Sequence, residues 1–177
     1  MPVRQALAWF AQRRSASAER MARVAVALLP EMYGYPASPA RRKSARRVVA
    51  DAVVASGAKV VIAHSLGSVV AYEALHAHAL PQVQLLVTVG SPLGPPGGAF
   101  EMLDPAPTGG RGSRPPGLAR WVNFADPGDL VAVPRRLGDR FDVDGHGEEH
   151  IAAVDFHKLD HYLACGLVAM AVVPYLS

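Results

Sequence analysis

The residues best equipped for chemistry lie between positions 63 and 161. Ala63-His64-Ser65-Leu66-Gly67 joins a β-branched run to an Ala- and Val-rich helical pattern. Small residues two positions either side of Ser65 suit a tight strand-to-helix turn. Such a turn lifts the serine hydroxyl above a sheet and aims the Leu66 N–H, at the helix N-terminus, toward an oxyanion. The structural alternative is that Ser65 only caps the helix. A serine hydroxyl is a weak nucleophile at neutral pH, so a neutral imidazole must take its proton and a carboxylate must orient that imidazole. Downstream come Asp126 and Asp129, then four histidines: His146, His150, His157 and His161. His146-Gly147-Glu148-Glu149-His150 also matches the zinc pattern H-x-x-E-H, which requires a helix to put both histidines on one face. Asp144-Gly145 and Gly147 instead predict a polar loop there, and no metal is expected.

These residues need elements to position them. Residues 3–29 read as one or two Ala-rich helices with Leu7, Phe10, Met21, Val24 and Leu28 at roughly helical spacing. Residues 31–39 form a breaker segment. A helix follows, with Ser38 as its cap, Pro39 at its first position and Gly57 just past its end. Val48, Val49, Ala52 and Val53 are its predicted buried stripe. Residues 59–63 read as a strand buried on both faces, residues 68–79 as a helix closed by Pro81, and residues 84–89 as a second buried strand. Residues 90–117, dense in Pro and Gly, form a long irregular excursion that serves either as a lid or acyl-pocket wall, with Phe100, Met102 and Leu103 as its apolar contacts, or as a disordered insertion. Residues 121–124 are a third strand, 140–143 a fourth, and 156–173 a closing helix. The alternation predicts an α/β fold with a parallel sheet and flanking helices, whose functional loops sit at the carboxyl ends of its strands.

The segment Val60 to Leu75 resembles the nucleophile elbow and following helix of the α/β-hydrolase family, with Ala63 where the G-x-S-x-G pattern has its first glycine. Thr88-Val89-Gly90-Ser91-Pro92-Leu93-Gly94 is similar to the turn after that family's next strand. Asn123-Phe124-Ala125-Asp126-Pro127-Gly128-Asp129-Leu130-Val131-Ala132-Val133-Pro134 resembles the acid loop of its lipase-like members. Phe156-His157-Lys158-Leu159-Asp160-His161-Tyr162-Leu163 resembles the late segment in which the base opens the last helix. The resemblance implies a Ser–Asp–His order with Ser65 as nucleophile, Asp129 as acid, His157 as base and the Leu66 N–H as oxyanion donor. Asp126 is the alternative acid, its structural role being an Asx-type turn before Pro127-Gly128, and His161 the alternative base. The implied substrates are small-molecule acyl compounds: esters, thioesters or amides.

This resemblance spans about residues 58–164. The family's further N-terminal strands and His-Gly oxyanion loop have no counterpart upstream, where the only glycines are Gly34 and Gly57. Backbone at Tyr33-Gly34-Tyr35 is the candidate stand-in. The expectation is a single domain over residues 1–177: an atypical helical part over 1–57 and a hydrolase core over 58–177, together a truncated α/β-hydrolase fold. The alternative function is a noncatalytic interaction module whose uncovered sheet edge pairs with another chain, a homo-oligomer among the options.

Composition narrows the remaining classes. With 177 residues, 50% hydrophobic and 19% charged, the chain has enough apolar material for one folded domain. Its net charge of +3 is small, and much of it falls in Arg41-Arg42-Lys43-Ser44-Ala45-Arg46-Arg47, read as the solvated face of a helix rather than a phosphate-binding patch. No aromatic residues interleave with that run, so no nucleic-acid partner is expected. Cys165 is the sole cysteine, which excludes an intramolecular disulfide and fits a cytoplasmic protein. The longest apolar tract, Leu163 to Val173, is shorter than the ~20 residues a membrane span requires. No organic cofactor is implied.

Overall fold

The computed structural model describes residues 30–31, 33–94, 99–152 and 156–176. The helices expected over residues 3–29 lie outside the described residues. Residues 33–37 are helical and lead into α1 (Pro39–Ser56), followed by β1 (Val60–His64), α2 (Leu66–Ala77), β2 (Leu85–Val89), β3 (Arg120–Ala125), β4 (Gly145–Glu148), α3 (Leu159–Ala164) and α4 (Gly166–Val172). Four strands form one all-parallel sheet in the order β1-β2-β3-β4, flanked by helices, which is an α/β fold. Val60 pairs with Leu85, Leu85 with Arg120, and Val122 with Gly145, so the carboxyl ends of β1, β2 and β3 finish side by side.

Period-two alternation along β2 and β3 divides the core into two layers. Leu85, Val87, Val89, Val122 and Phe124 pack against Tyr162 of α3 and Val168 and Ala171 of α4. On the opposite face, Leu86 and Trp121 join Val69, Tyr72 and Leu75 of α2, Val53 of α1, and Phe141. Trp121, Tyr72, Tyr162 and Phe141 are almost wholly buried, each removing roughly 150–250 Å² from water. The polar atoms that enter this core are paired. Thr88 donates to Asn123 Oδ1 at 2.8 Å and accepts from Trp121 Nε1 at 3.2 Å. Among the described residues no buried side-chain polar atom lacks a partner.

Helix α1 begins and ends as its sequence dictates. Ser38 Oγ accepts from the Arg41 N–H, Pro39 occupies the first turn, and Gly57 closes the helix at φ 63°. Its buried face matches the expected one only in part: Val53 is buried and Val49 half-buried, but Val48 and Ala52 are exposed. Ala50 turns inward with Val53, whereas Val48 is 66% exposed. The arginine run is a solvated face only in part: Arg41, Lys43 and Arg47 are exposed, but two of its arginines are not. Arg42 and Arg46, one turn apart, share the inner face and close on Glu73 of α2. Glu73 is fully buried; it takes Arg46 Nη2 at 2.8 Å, Arg42 Nε at 2.9 Å, the Tyr35 hydroxyl at 2.7 Å and the Asp104 N–H at 3.1 Å. Burial alone would raise the Glu73 carboxyl, but the hydrogen bonds from Arg42, Tyr35 and Arg46 outweigh it and hold it below the usual carboxylate range.

Four further expectations are corrected. β1 is an edge strand, not one buried on both faces: Ile62 is 40% exposed, and among the described residues no strand pairs with its outer side. The fourth strand is residues 145–148 rather than 140–143, because Phe141 turns into the core and β3 offers its free edge to the next extended segment. The closing helix is broken at Cys165, whose ψ of 140° leaves the helical region. The excursion is neither a lid nor an unstructured insertion over its described part; Phe100 and Leu103 are built into the core beside Phe141. Among the described residues no helix is long and apolar enough to cross a membrane.

Candidate active site

β1 ends at His64 and α2 begins at Leu66, leaving Ser65 alone to reverse the chain. Ser65 pays the conformational cost with φ 52° and ψ −135°, and it is the one non-glycine among the described residues with positive φ. Strain of this kind costs about 1–3 kcal/mol and persists only where surrounding contacts impose it. Those contacts are specific. The Ser65 N–H bonds the Val89 carbonyl at 3.2 Å, tying the elbow to the end of β2. Ser68 donates to the Ser65 carbonyl at 2.6 Å and lies 2.7 Å from Ser91 Oγ, bracing the elbow from below. The Ser65 hydroxyl makes no capping bond to its helix, so the capping alternative fails.

That hydroxyl instead meets His157. Ser65 Oγ lies 2.9 Å from His157 Nε2, and His157 Nδ1 lies 2.8 Å from Asp129 Oδ2. A carboxylate only accepts, so Nδ1 carries the imidazole proton and Nε2 is free to accept the Ser65 O–H. Asp129 is held on its other side by the Val131 N–H at 2.9 Å from Oδ1. His157 stands in the turn ahead of α3 rather than in the helix. All three side chains are buried or nearly so, so their mutual attraction is little screened.

Of the alternatives, Asp126 does other work. Its Oδ1 accepts the Gly128 N–H at 2.6 Å, the Asx-type turn expected of it, and its Oδ2 accepts the Ile151 N–H at 2.7 Å. His161 lies one turn further along α3, and the imidazole on Ser65 is that of His157. Leu66 is the first residue of α2, so its N–H has no preceding-turn carbonyl to bond and remains directed out of the helix. In the segment Tyr33-Gly34-Tyr35, the Tyr35 hydroxyl is committed to Glu73, more than two turns along α2 from Ser65. A cleft of about 510 Å³ bordered by Asp129, Leu130, Val133 and Arg136 flanks the acid loop, but neither Ser65 nor His157 lines it.

Three contributors went unnoticed in the sequence. Tyr162 donates to Asp129 Oδ2 at 2.8 Å and accepts the Asp126 N–H at 2.9 Å. Burial and then the Asp129 charge push its phenol far above the ordinary value, so it stays a donor. His64 donates from Nε2 to the His157 carbonyl at 2.8 Å, its ring 4.6 Å from the His157 ring. Burial, then the neighbouring His157, lowers the His64 pKa and favours the neutral ring. Gly90, at φ 55°, leaves the space in which Asp129, His157 and Tyr162 converge.

The H-x-x-E-H segment is strand, not helix, over its first half. His146 lies 3.2 Å from Glu148 Oε1, while His150 projects from the following loop, 77% exposed and 3.8 Å from Asp126. Among the described residues no group of three or more His, Cys, Asp or Glu is arranged to hold a metal.

Compared with known proteins, the chain matches no family model, no curated protein and no solved structure.

Proposed function

We propose that this protein is a serine hydrolase of α/β-hydrolase type, acting on a carboxylic ester, thioester or amide through an acyl-enzyme. One observation carries the proposal: a serine in strained backbone conformation touches an imidazole whose other nitrogen is bonded to a buried aspartate. Ser65 Oγ attacks the acyl carbon as its proton passes to His157 Nε2, and the Asp129 carboxylate stabilises the imidazolium. The Leu66 N–H faces the oxyanion of the tetrahedral intermediate, reinforced by the positive end of the α2 dipole. Collapse expels the alcohol, thiol or amine, which takes the proton from His157. Water, deprotonated by the same imidazole, then attacks the acyl-enzyme and releases the acid and Ser65. The lone, half-buried Cys165 suits a reducing cytoplasm.

The outer edge of β1, unpaired among the described residues, and exposed Ile62 favour a second reading, a hydrolase-like module that pairs with another chain, a second copy included. Hydrolysis of p-nitrophenyl butyrate separates the two. The hydrolase reading expects turnover by the wild type, unaffected by a chelator, and a loss of at least about 10³-fold in Ser65→Ala and in His157→Gln. Turnover that survives Ser65→Ala, or no turnover by the folded wild type, contradicts it.

A further inference from the structure

We propose that Tyr162 is a positioning residue for the proton-transfer pair, acting through Asp129; this rests on the hydrolase reading for its kinetic consequence but not for its structural one. Asp129 Oδ2 accepts two bonds, from His157 Nδ1 and from the Tyr162 hydroxyl, both at 2.8 Å. The same tyrosine oxygen accepts the Asp126 N–H, and the Asp129 N–H bonds the Asp126 carbonyl at 3.0 Å. One hydroxyl therefore pins both ends of the turn that carries the acid. It reaches this position because Tyr162 is fully buried in the core layer under β2 and β3, with its ring fixed among apolar side chains.

The shared oxygen has an electronic consequence. An O–H donated to a carboxylate oxygen draws on the lone-pair density that also holds the imidazole, so the tyrosine weakens the grip of Asp129 on a charged His157. Losing it leaves Asp129 a stronger acceptor with one fewer tether. Among the described residues, the other groups facing the His157 ring are Ser65, His64 and the Gly90 backbone; Lys158 and His161 lie near it in the chain, and His150 approaches Asp126 from behind the turn. All of these stay in place when only the tyrosine oxygen is removed.

Tyr162→Phe keeps the ring and deletes the oxygen. Three effects are expected with p-nitrophenyl butyrate and proton NMR. The kcat falls about three- to tenfold, the loss of one hydrogen bond to a charged group, while KM stays within about twofold. The acid limb of the kcat/KM profile moves upward by a few tenths to about one pH unit. The low-field Nδ1–H resonance of His157, assigned by its loss in His157→Gln, moves further downfield. Replacement of Tyr162 by 3-fluorotyrosine, a stronger donor of nearly the same shape, moves the limb and the resonance in the opposite directions and covers the case in which Tyr162→Phe fails to fold. An unmoved resonance in both variants overturns the inference, as does a rate loss with an unmoved acid limb, the mark of a merely structural tyrosine. If the wild type hydrolyses nothing while the resonance moves as stated, the hydrolase reading falls and the positioning role stands.

Discussion

Adding one methyl group at Gly90 should disable the site more than it destabilises the fold. A Cβ there would lie 2.9 Å from Asp129 Oδ2, 3.1 Å from Tyr162 Cε2 and 3.2 Å from His157 Nδ1. Carbon contacts settle near 3.5–4.0 Å, so the three neighbours must withdraw by roughly 0.5 Å. Gly90 cannot retreat instead, because its N–H is bonded to the Phe124 carbonyl at 3.2 Å on β3. A displacement of about 1 Å in a reacting group costs on the order of 10²-fold in rate, so half of that, applied to acid and base together, corresponds to about ten- to a hundredfold. An L-residue at φ 55° adds a folding cost of about 1–2 kcal/mol.

Gly57 supplies the internal control. It also has positive φ, 63°, but nothing lies within 4 Å of its notional Cβ. Gly57→Ala should lose the same 1–2 kcal/mol in thermal or urea melts and keep its rate of p-nitrophenyl butyrate hydrolysis. Gly90→Ala should melt at a similar point and turn over ten- to a hundredfold more slowly. Equal activity in the two variants would refute the claim that the space at Gly90 lets the three side chains converge.

Further outcomes follow from the buried charges. Glu73→Ala leaves Arg42 without a carboxylate and Arg46 with Asp104 alone, and should cost about 3 kcal/mol or more in urea melts. The folded-state Glu73 value lies below the ordinary 4.5, so its stabilisation is complete above that pH and is lost as pH falls through the lowered value; the gap between wild type and Glu73→Gln should therefore close in melts taken progressively below pH 4.5, and a gap that widens there would be inconsistent. Asp129→Asn should lower turnover by about 10⁴-fold, because an amide selects the wrong imidazole tautomer. Asp126→Asn keeps an acceptor for the Gly128 N–H and should retain most activity; equal losses would show that the two carboxylates are not divided as their partners indicate.

The α/β sheet and the Ser65 elbow were legible because they depend on local signals: β-branched runs, small residues either side of a serine, Ser38-Pro39 at one helix end and Gly57 at the other. Features set by a distant partner were not. Arg42 and Arg46 look like any solvated i, i+4 pair until Glu73 is placed opposite them. β4 reads Gly-His-Gly-Glu, a poor strand by propensity; its extended form comes from the open edge of β3. Tyr162 and Gly90 fall within segments that resemble the family's, but nothing in those segments assigns them a role, and only the convergence of β2, β3 and α3 gives them their contacts. Between Asp126 and Asp129, the Pro127-Gly128 turn was the useful signal, since it commits the nearer carboxylate to backbone and leaves the farther one for His157.

Covalent trapping with a fluorophosphonate, followed by peptide mapping, tests the central claim most directly. One adduct per chain is expected, on Ser65, formed slowly or not at all in His157→Gln and absent in Ser65→Ala. A folded wild type that stays unlabelled, or an adduct mapped to another residue, would contradict it.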